Sequence, residues 1–112
     1  MASNKNFSKW DIVLVDLDPT KGSEMSKTRP CVVISPDTLN KNLHTLIIAP
    51  LTSSRKKYPC RIRTNINDSP GEICLDHIKS IDKNRVIKRL GELDTVIRSQ
   101  VIKVLLEMFK ES

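Results

Sequence analysis

Between positions 55 and 63 the sequence sets Arg55, Lys56, Lys57, Arg61 and Arg63 with no acidic residue among them and Tyr58 in their midst. Clustered cations neutralise a phosphate backbone, and an aromatic ring offers a face on which a base can stack. Another cation is placed differently. Arg29 stands where a polar segment, Asp18 to Thr28, gives way to the apolar run Cys31-Val32-Val33-Ile34. A guanidinium at that joint has a firm base in the strand and a mobile loop beside it. Over the whole chain, 19 Lys and Arg residues against 13 Asp and Glu leave a net charge of +6. That sign favours polyanionic partners, either nucleic acid or an acidic protein segment.

Other chemistries are poorly provided for. The three cysteines, Cys31, Cys60 and Cys74, form no CxxC pair, and their odd number argues against a disulfide framework. Only two histidines occur and no ligand spacing is present, so no metal site, thiol nucleophile or cofactor is expected. Cys31 and Cys74 lie in apolar stretches and read as small buried hydrophobes, whereas Cys60 follows a polar loop and reads as more exposed.

The elements that must position these residues are short. Asp11 to Leu17 reads as a first strand, and Pro19 and Gly22 open a loop of about ten residues. Pro30 precedes a second strand, CVVIS, which Pro36 closes. Residues 37 to 43 are polar and read as a turn. His44 to Leu51 is a third strand, with Pro50 marking a strand end or bulge. Thr52 to Tyr58 is the basic loop, and Pro59 to Asn65 alternates as a half-exposed strand with outward arginines. Asn67 to Gly71 reads as a turn, Glu72 to Ile81 as one or two strands, and Val86 to Leu90 as another.

Asp94 is placed to cap a helix from about Thr95 to Phe109, with Ile97, Val101, Val104, Leu105 and Met108 on one stripe. Val96, Ile102, Leu106 and Phe109 widen its apolar surface, which favours a subunit interface over complete coverage by the sheet. At 112 residues the chain is read as one domain, 1–112, able to bury roughly two-thirds of the surface its unfolded form exposes. No run approaches the ~18 to 20 apolar residues of a membrane span, and MASNKNFSKW lacks a signal-peptide core, so a cytoplasmic protein is expected. Many short strands with one C-terminal helix point to a mainly β, α+β domain built on a strongly bent antiparallel sheet or barrel.

The ordered segments DIVLVDLDPTKGSE, RPCVVIS and APLTSS, then LDHIKSID, RLGEL and a terminal helix, resemble the MazF/PemK/Kid family of toxin endoribonucleases over roughly residues 9 to 109. The resemblance implies an SH3-like barrel of the CcdB/PemK type with a C-terminal helix, and a homodimer. It also implies metal-independent, sequence-specific cleavage of single-stranded mRNA by attack of the ribose 2′-OH, leaving a 2′,3′-cyclic phosphate and a 5′-OH. A further implication is neutralisation by a cognate antitoxin whose acidic, initially disordered tail lies across the RNA site.

On this resemblance Arg29 stabilises the charge that builds on phosphorus, and doubles as a candidate proton donor to the leaving oxygen. Guanidinium stays charged and presents a fork of donors matched to phosphoryl oxygens. Thr52 matches the family's hydroxyl position opposite that arginine, with Ser53 able to share the task. Asp76 falls at the place of an acid that some members use as base or RNA contact, and His77 beside it is an alternative proton acceptor. The Kid-like branch has a histidine just after the loop glycine and an arginine two residues before that acid. Here those places hold Ser23 and Cys74, so that acid–base pair is incomplete. Lys21, Glu24 and Lys27 lie on the first loop, where gating and base selection are expected; Lys56, Lys57 and Arg61 are expected to track phosphates.

Trp10 replaces the family's common glycine before the first strand and is expected to pack over the barrel end rather than stack with a base. Two other classes remain beside the ribonuclease. A gyrase poison of the CcdB type shares the fold, but its Trp-Gly-Ile tail is missing from a chain ending Phe109-Lys110-Glu111-Ser112. A non-catalytic nucleic-acid-binding module would explain charge and fold without chemistry.

Overall fold

A computed structural model describes residues 6–54, 56–66 and 68–111. In chain order the elements are β1 (Asp11–Asp16), β2 (Thr28–Val33), α1 (Asp37–Asn42), β3 (Thr45–Thr52), β4 (Arg61–Ile66), β5 (Ser69–Cys74), β6 (Lys79–Asp82), β7 (Val86–Glu92) and α2 (Thr95–Phe109). Single 3₁₀ turns occupy Leu75–His77 and Lys83–Arg85. All the strand pairings are antiparallel. The sheet runs β4-β5-β3-β2-β1-β7, with β6 paired to β3 off that path, so it is strongly bent without closing.

The run Cys31-Val32-Val33 is buried on both faces, which is why it is continuously apolar instead of alternating. Cys31 and Val33 enter one core with Val13, Val15, Leu17, Leu46, Ile48, Ile81 and Val86. Val32 faces the other way, into a second core with Ala49, Leu51, Ile62, Ile73, Leu93 and Val101 of α2. Successive strand residues point to opposite faces, so one strand serves both cores. Trp10 packs against the second core, as expected, at φ 78°. That left-handed value costs a residue other than glycine on the order of 1 kcal/mol or more.

Three readings are corrected. Pro50 does not end β3, which continues through it to Thr52. It falls where the strand changes partners, between the segment paired with β6 (Thr45–Ile48) and the segment paired with β5 (Leu51–Thr52). Residues 37 to 43 hold the short helix α1, disguised because its one buried residue is Asn40. The Asn40 side chain accepts from Ser35 Oγ and donates to the Ser35 carbonyl, a clamp that a polar sequence conceals. The expected turn at 67–71 is shorter, because Ser69 and Pro70 already belong to β5. Asn67 lies outside the described residues, as does Arg55 of the basic cluster.

Helix α2 starts as its sequence requires, with the Asp94 carboxylate accepting the Val96 amide at 3.0 Å. Val96, Leu106, Met108 and Phe109 remain exposed on it. Among the described residues no helix is long and apolar enough to cross a membrane.

Candidate active site

The end of β3, the start of β2 and the β4–β5 hairpin enclose a cleft of about 260 Å³ lined by Arg29, Thr28, Pro30, Ser53, Ser69 and Pro70 among others. Arg29 pairs with Val15 across β1, which fixes its backbone in the sheet. Its Nε donates to the Ser26 carbonyl at 3.1 Å, and it forms no ion pair with the described residues. The guanidinium is thus held along one edge and keeps donors for an incoming anion.

Ser53 lines this cleft, whereas Thr52 is only 7% exposed. The Thr52 hydroxyl accepts the Ser54 amide at 3.2 Å, capping the turn that leaves β3. Its own proton stays available for donation. Gly71 lies against the Thr52 carbonyl, so close that a Cβ there would sit 2.7 Å from the oxygen.

A second cleft, of about 220 Å³, gathers Glu24 and Met25 from the first loop, Pro50, Asp76 and His77 from the 3₁₀ turn, and Lys79. Asp76 Oδ2 and His77 Nε2 are 3.5 Å apart. Glu24 belongs to a tight turn, its carboxylate accepting the Lys21 amide at 2.8 Å. Lys21 and Lys27 are exposed on the same loop, and the Lys27 amide donates to Asp18 Oδ1.

Arg61 was expected to point outward, yet its side chain is 8% exposed. Its Nε and one terminal nitrogen donate to the two Asp76 oxygens at 3.2 and 3.1 Å. Its face lies 4.9 Å from the centre of the Tyr58 ring, and its other terminal nitrogen is 4.0 Å from Glu72 Oε1. Partial burial raises the Asp76 pKa, but the Arg61 hydrogen bond, together with the charges of Arg61 and His77, holds it below the usual carboxylate value. The Asp76 hydrogen bond in turn raises the Arg61 pKa against desolvation.

Glu72 went unnoticed in the sequence except as the start of a strand. It is fully buried, and its carboxylate accepts the amides of Lys56 at 3.0 Å and Lys57 at 3.1 Å. The available signal was an acid set beside Ile73 and Cys74, facing a strand of alternating arginines. The Lys56 and Lys57 side chains stay exposed. Burial pushes the Cys31 thiol up to about 12 and the Cys74 thiol to about 11, so neither is a nucleophile at neutral pH. Among the described residues no group of three or more His, Cys, Asp or Glu is placed to hold a metal ion.

Residues 8–109 match the family described as PemK-like, MazF-like toxin of type II toxin-antitoxin system. The chain belongs to that family. Among its relatives is the Endoribonuclease MazF of Staphylococcus saprophyticus, 36% identical over 91 residues that cover 76% of each chain. The Endoribonuclease toxin MazF of Escherichia coli K12 is 38% identical over 71 residues, 63% of this chain and 64% of that one. The fold matches the crystal structure of Deinococcus radiodurans MazF with a TM-score of 0.81 at 25% identity, covering 91% of this chain and 94% of that one. A MazE–MazF complex from the same organism matches with a TM-score of 0.77 at 26% identity over 96% of this chain and 98% of that one.

Proposed function

We propose that this PemK-like chain is an endoribonuclease, the toxin of a toxin–antitoxin pair, which cuts single-stranded mRNA at short motifs without a metal ion. The observation that carries the proposal is Arg29, a guanidinium in a cleft with donors still unspent. In the reaction the ribose 2′-OH gives up its proton as its oxygen bonds to the neighbouring phosphorus. The P–O5′ bond breaks, O5′ takes a proton, and the products end in a 2′,3′-cyclic phosphate and a 5′-OH. Arg29 meets the charge developing on the phosphoryl oxygens and is the candidate donor to the leaving oxygen. Such a preorganised donor contributes on the order of 3 kcal/mol, about a hundredfold in rate.

Ser53 and Thr52 donate to phosphate oxygen or orient the 2′-OH. Asp76 is a poor base, because proton transfer is best served by a pKa near the working pH and Arg61 holds this one low. Its role is RNA contact, with Glu24 and His77 lining the same cleft; the His77 imidazole, 3.5 Å from Asp76, is the candidate proton acceptor. Lys21, Lys27, Lys56 and Lys57 track phosphates, while Arg61 acts from behind, through Asp76 and Tyr58. The same cationic surface suits an acidic antitoxin tail, and the MazE–MazF complexes of the Deinococcus relative support such a partner. The exposed apolar residues of α2 suit a second copy of the chain, giving a homodimer. We place the toxin domain over residues 1–112 and the protein in the cytoplasm.

The test is cleavage of a long single-stranded RNA in EDTA, with Arg29→Ala alongside and product ends assayed for cyclic phosphate. Metal-independent cutting that falls about a hundredfold in the variant supports the proposal. Intact RNA with the native protein at high concentration overturns it in favour of gyrase poisoning or simple nucleic-acid binding, which a gyrase inhibition assay separates.

A further inference from the structure

We infer that Tyr58 is a nucleotide-stacking subsite of the RNA surface and that Glu72 is the residue that positions it. The inference rests on the ribonuclease reading above. Tyr58 is 50% exposed, on a loop whose neighbouring Lys56 and Lys57 side chains are also exposed. A large aromatic on an ordinary loop would sample many orientations and give little stacking. This one is held at several points.

The loop backbone is fixed from beneath. Both Glu72 oxygens accept loop amides, those of Lys56 and Lys57, and the Arg61 amide donates to the Tyr58 carbonyl at 3.0 Å. Lys57 sits at φ 60°, a left-handed conformation that costs a residue other than glycine on the order of 1 kcal/mol. The ring is fixed from behind by Arg61, which is itself clamped by Asp76 and flanked by Glu72. A buried carboxylate is costly unless its charge is met. The described partners of Glu72 are those two loop amides and Arg61, so what its burial secures is this loop.

A ring backed by a guanidinium presents a rigid π-face, and every nucleobase can stack on such a face. Exposed ammonium groups at positions 56 and 57 suit the phosphates flanking the stacked nucleotide. The subsite therefore takes a nucleobase without reading its edge, strengthening RNA binding in a sequence-tolerant way. Through Arg61 it is tied to Asp76 and so to the cleft that Glu24, His77 and Lys79 share. Selectivity belongs to that cleft and affinity to the ring.

Tyr58 is the only tyrosine of the chain, so isotope-labelled tyrosine gives NMR signals from this ring alone. Short 2′-O-methyl oligo(A) and oligo(U), which lack the attacking hydroxyl, serve as uncut probes. The expected result is an upfield shift of the Tyr58 ring protons with both probes, together with movement of the Arg29 and Ser53 amides. Tyr58→Leu should bind both probes about tenfold more weakly, while Tyr58→Phe and Tyr58→Trp keep near-native affinity. Glu72→Gln offers one acceptor oxygen to two amides; it should shift the Lys56 and Lys57 amide signals and raise KM for RNA more than it lowers kcat. Movement at Arg29 and Ser53 with a silent Tyr58 ring overturns the subsite and leaves the ribonuclease reading standing. If no signal moves with either probe, the subsite falls, because a sequence-tolerant stack must engage both; the ribonuclease reading is then decided by the cleavage assay. Equal loss of binding in Tyr58→Phe and Tyr58→Leu also overturns the stack, since it assigns the effect to the hydroxyl.

Discussion

Arg29 enters its cleft with Nε on the Ser26 carbonyl and no ion pair among the described residues, whereas Arg61 is engaged by both oxygens of Asp76, lies near Glu72 and stacks on Tyr58. Both arginines sit at strand beginnings in a basic protein, and both were read from the sequence as facing RNA. Their surroundings divide the labour. A guanidinium whose donors are unspent can meet a charge that appears during a reaction. One whose donors are already taken stabilises what surrounds it, and exchanging those partners for a phosphate would take the guanidinium away from Asp76 and Glu72. Side-chain identity therefore settles less than the number of partners each side chain already has.

Swapping the losses tests that division most severely. Arg29→Ala should cut RNA cleavage about a hundredfold while changing stability by no more than about 0.5 kcal/mol, as expected for a lightly bonded side chain. Arg61→Ala should instead destabilise the fold by on the order of 3 kcal/mol, because it removes the one cation beside buried Glu72 among the described residues and breaks the two-point bond to Asp76. Urea unfolding of both variants beside cleavage rates reads the two columns. A large stability loss at Arg29, or none at Arg61, would erase the distinction.

Gly71 sharpens the comparison on the Arg29 side. A Cβ at this position meets Ile66 Cδ1 at 2.6 Å and the Thr52 carbonyl oxygen at 2.7 Å, so something must move. Gly71→Ala should cost about 1–3 kcal/mol and displace the end of β3 that carries Thr52 and Ser53. Cleavage should fall with it, measured on protein that remains folded by circular dichroism.

The smallest effect is one of pH. Asp76 has a depressed pKa in the folded state, so its pairing with Arg61 contributes stability that is fully present above the ordinary carboxylate pKa of about 4. That contribution disappears as pH falls through the depressed folded value. Asp76→Asn should be the less stable protein at neutral pH, and the difference should close in acid. An unchanging gap down to acid unfolding would show that Asp76 does not titrate with its partner.

Much of this arrangement was legible in the chain. The strands announced themselves through Val, Ile and Leu between Pro and Gly breaks, α2 through Asp94 and its apolar stripe, and Arg29 through its position before Pro30. Each of those signals lies in neighbouring residues. The helix α1 was hidden because Ser35 and Asn40 hold it by side-chain hydrogen bonds instead of an apolar face. Alternation placed Arg61 on the outside, since a period of two reports which side of a strand a residue takes and not what covers that side.

By itself, then, the sequence determined a small basic β protein with one amphipathic helix, an arginine at a loop–strand joint, and likeness to the PemK and MazF toxins. Only the tertiary structure decided that Ser53 and not Thr52 lines the Arg29 cleft, that Arg61 is committed to Asp76, and that Glu72 underlies the basic loop. The last two outcomes depend on partners 15 and 16 residues away, brought together by strand pairing. Local propensity acts within a few residues; hydrogen-bond satisfaction in a folded interior is set by whatever the sheet carries alongside.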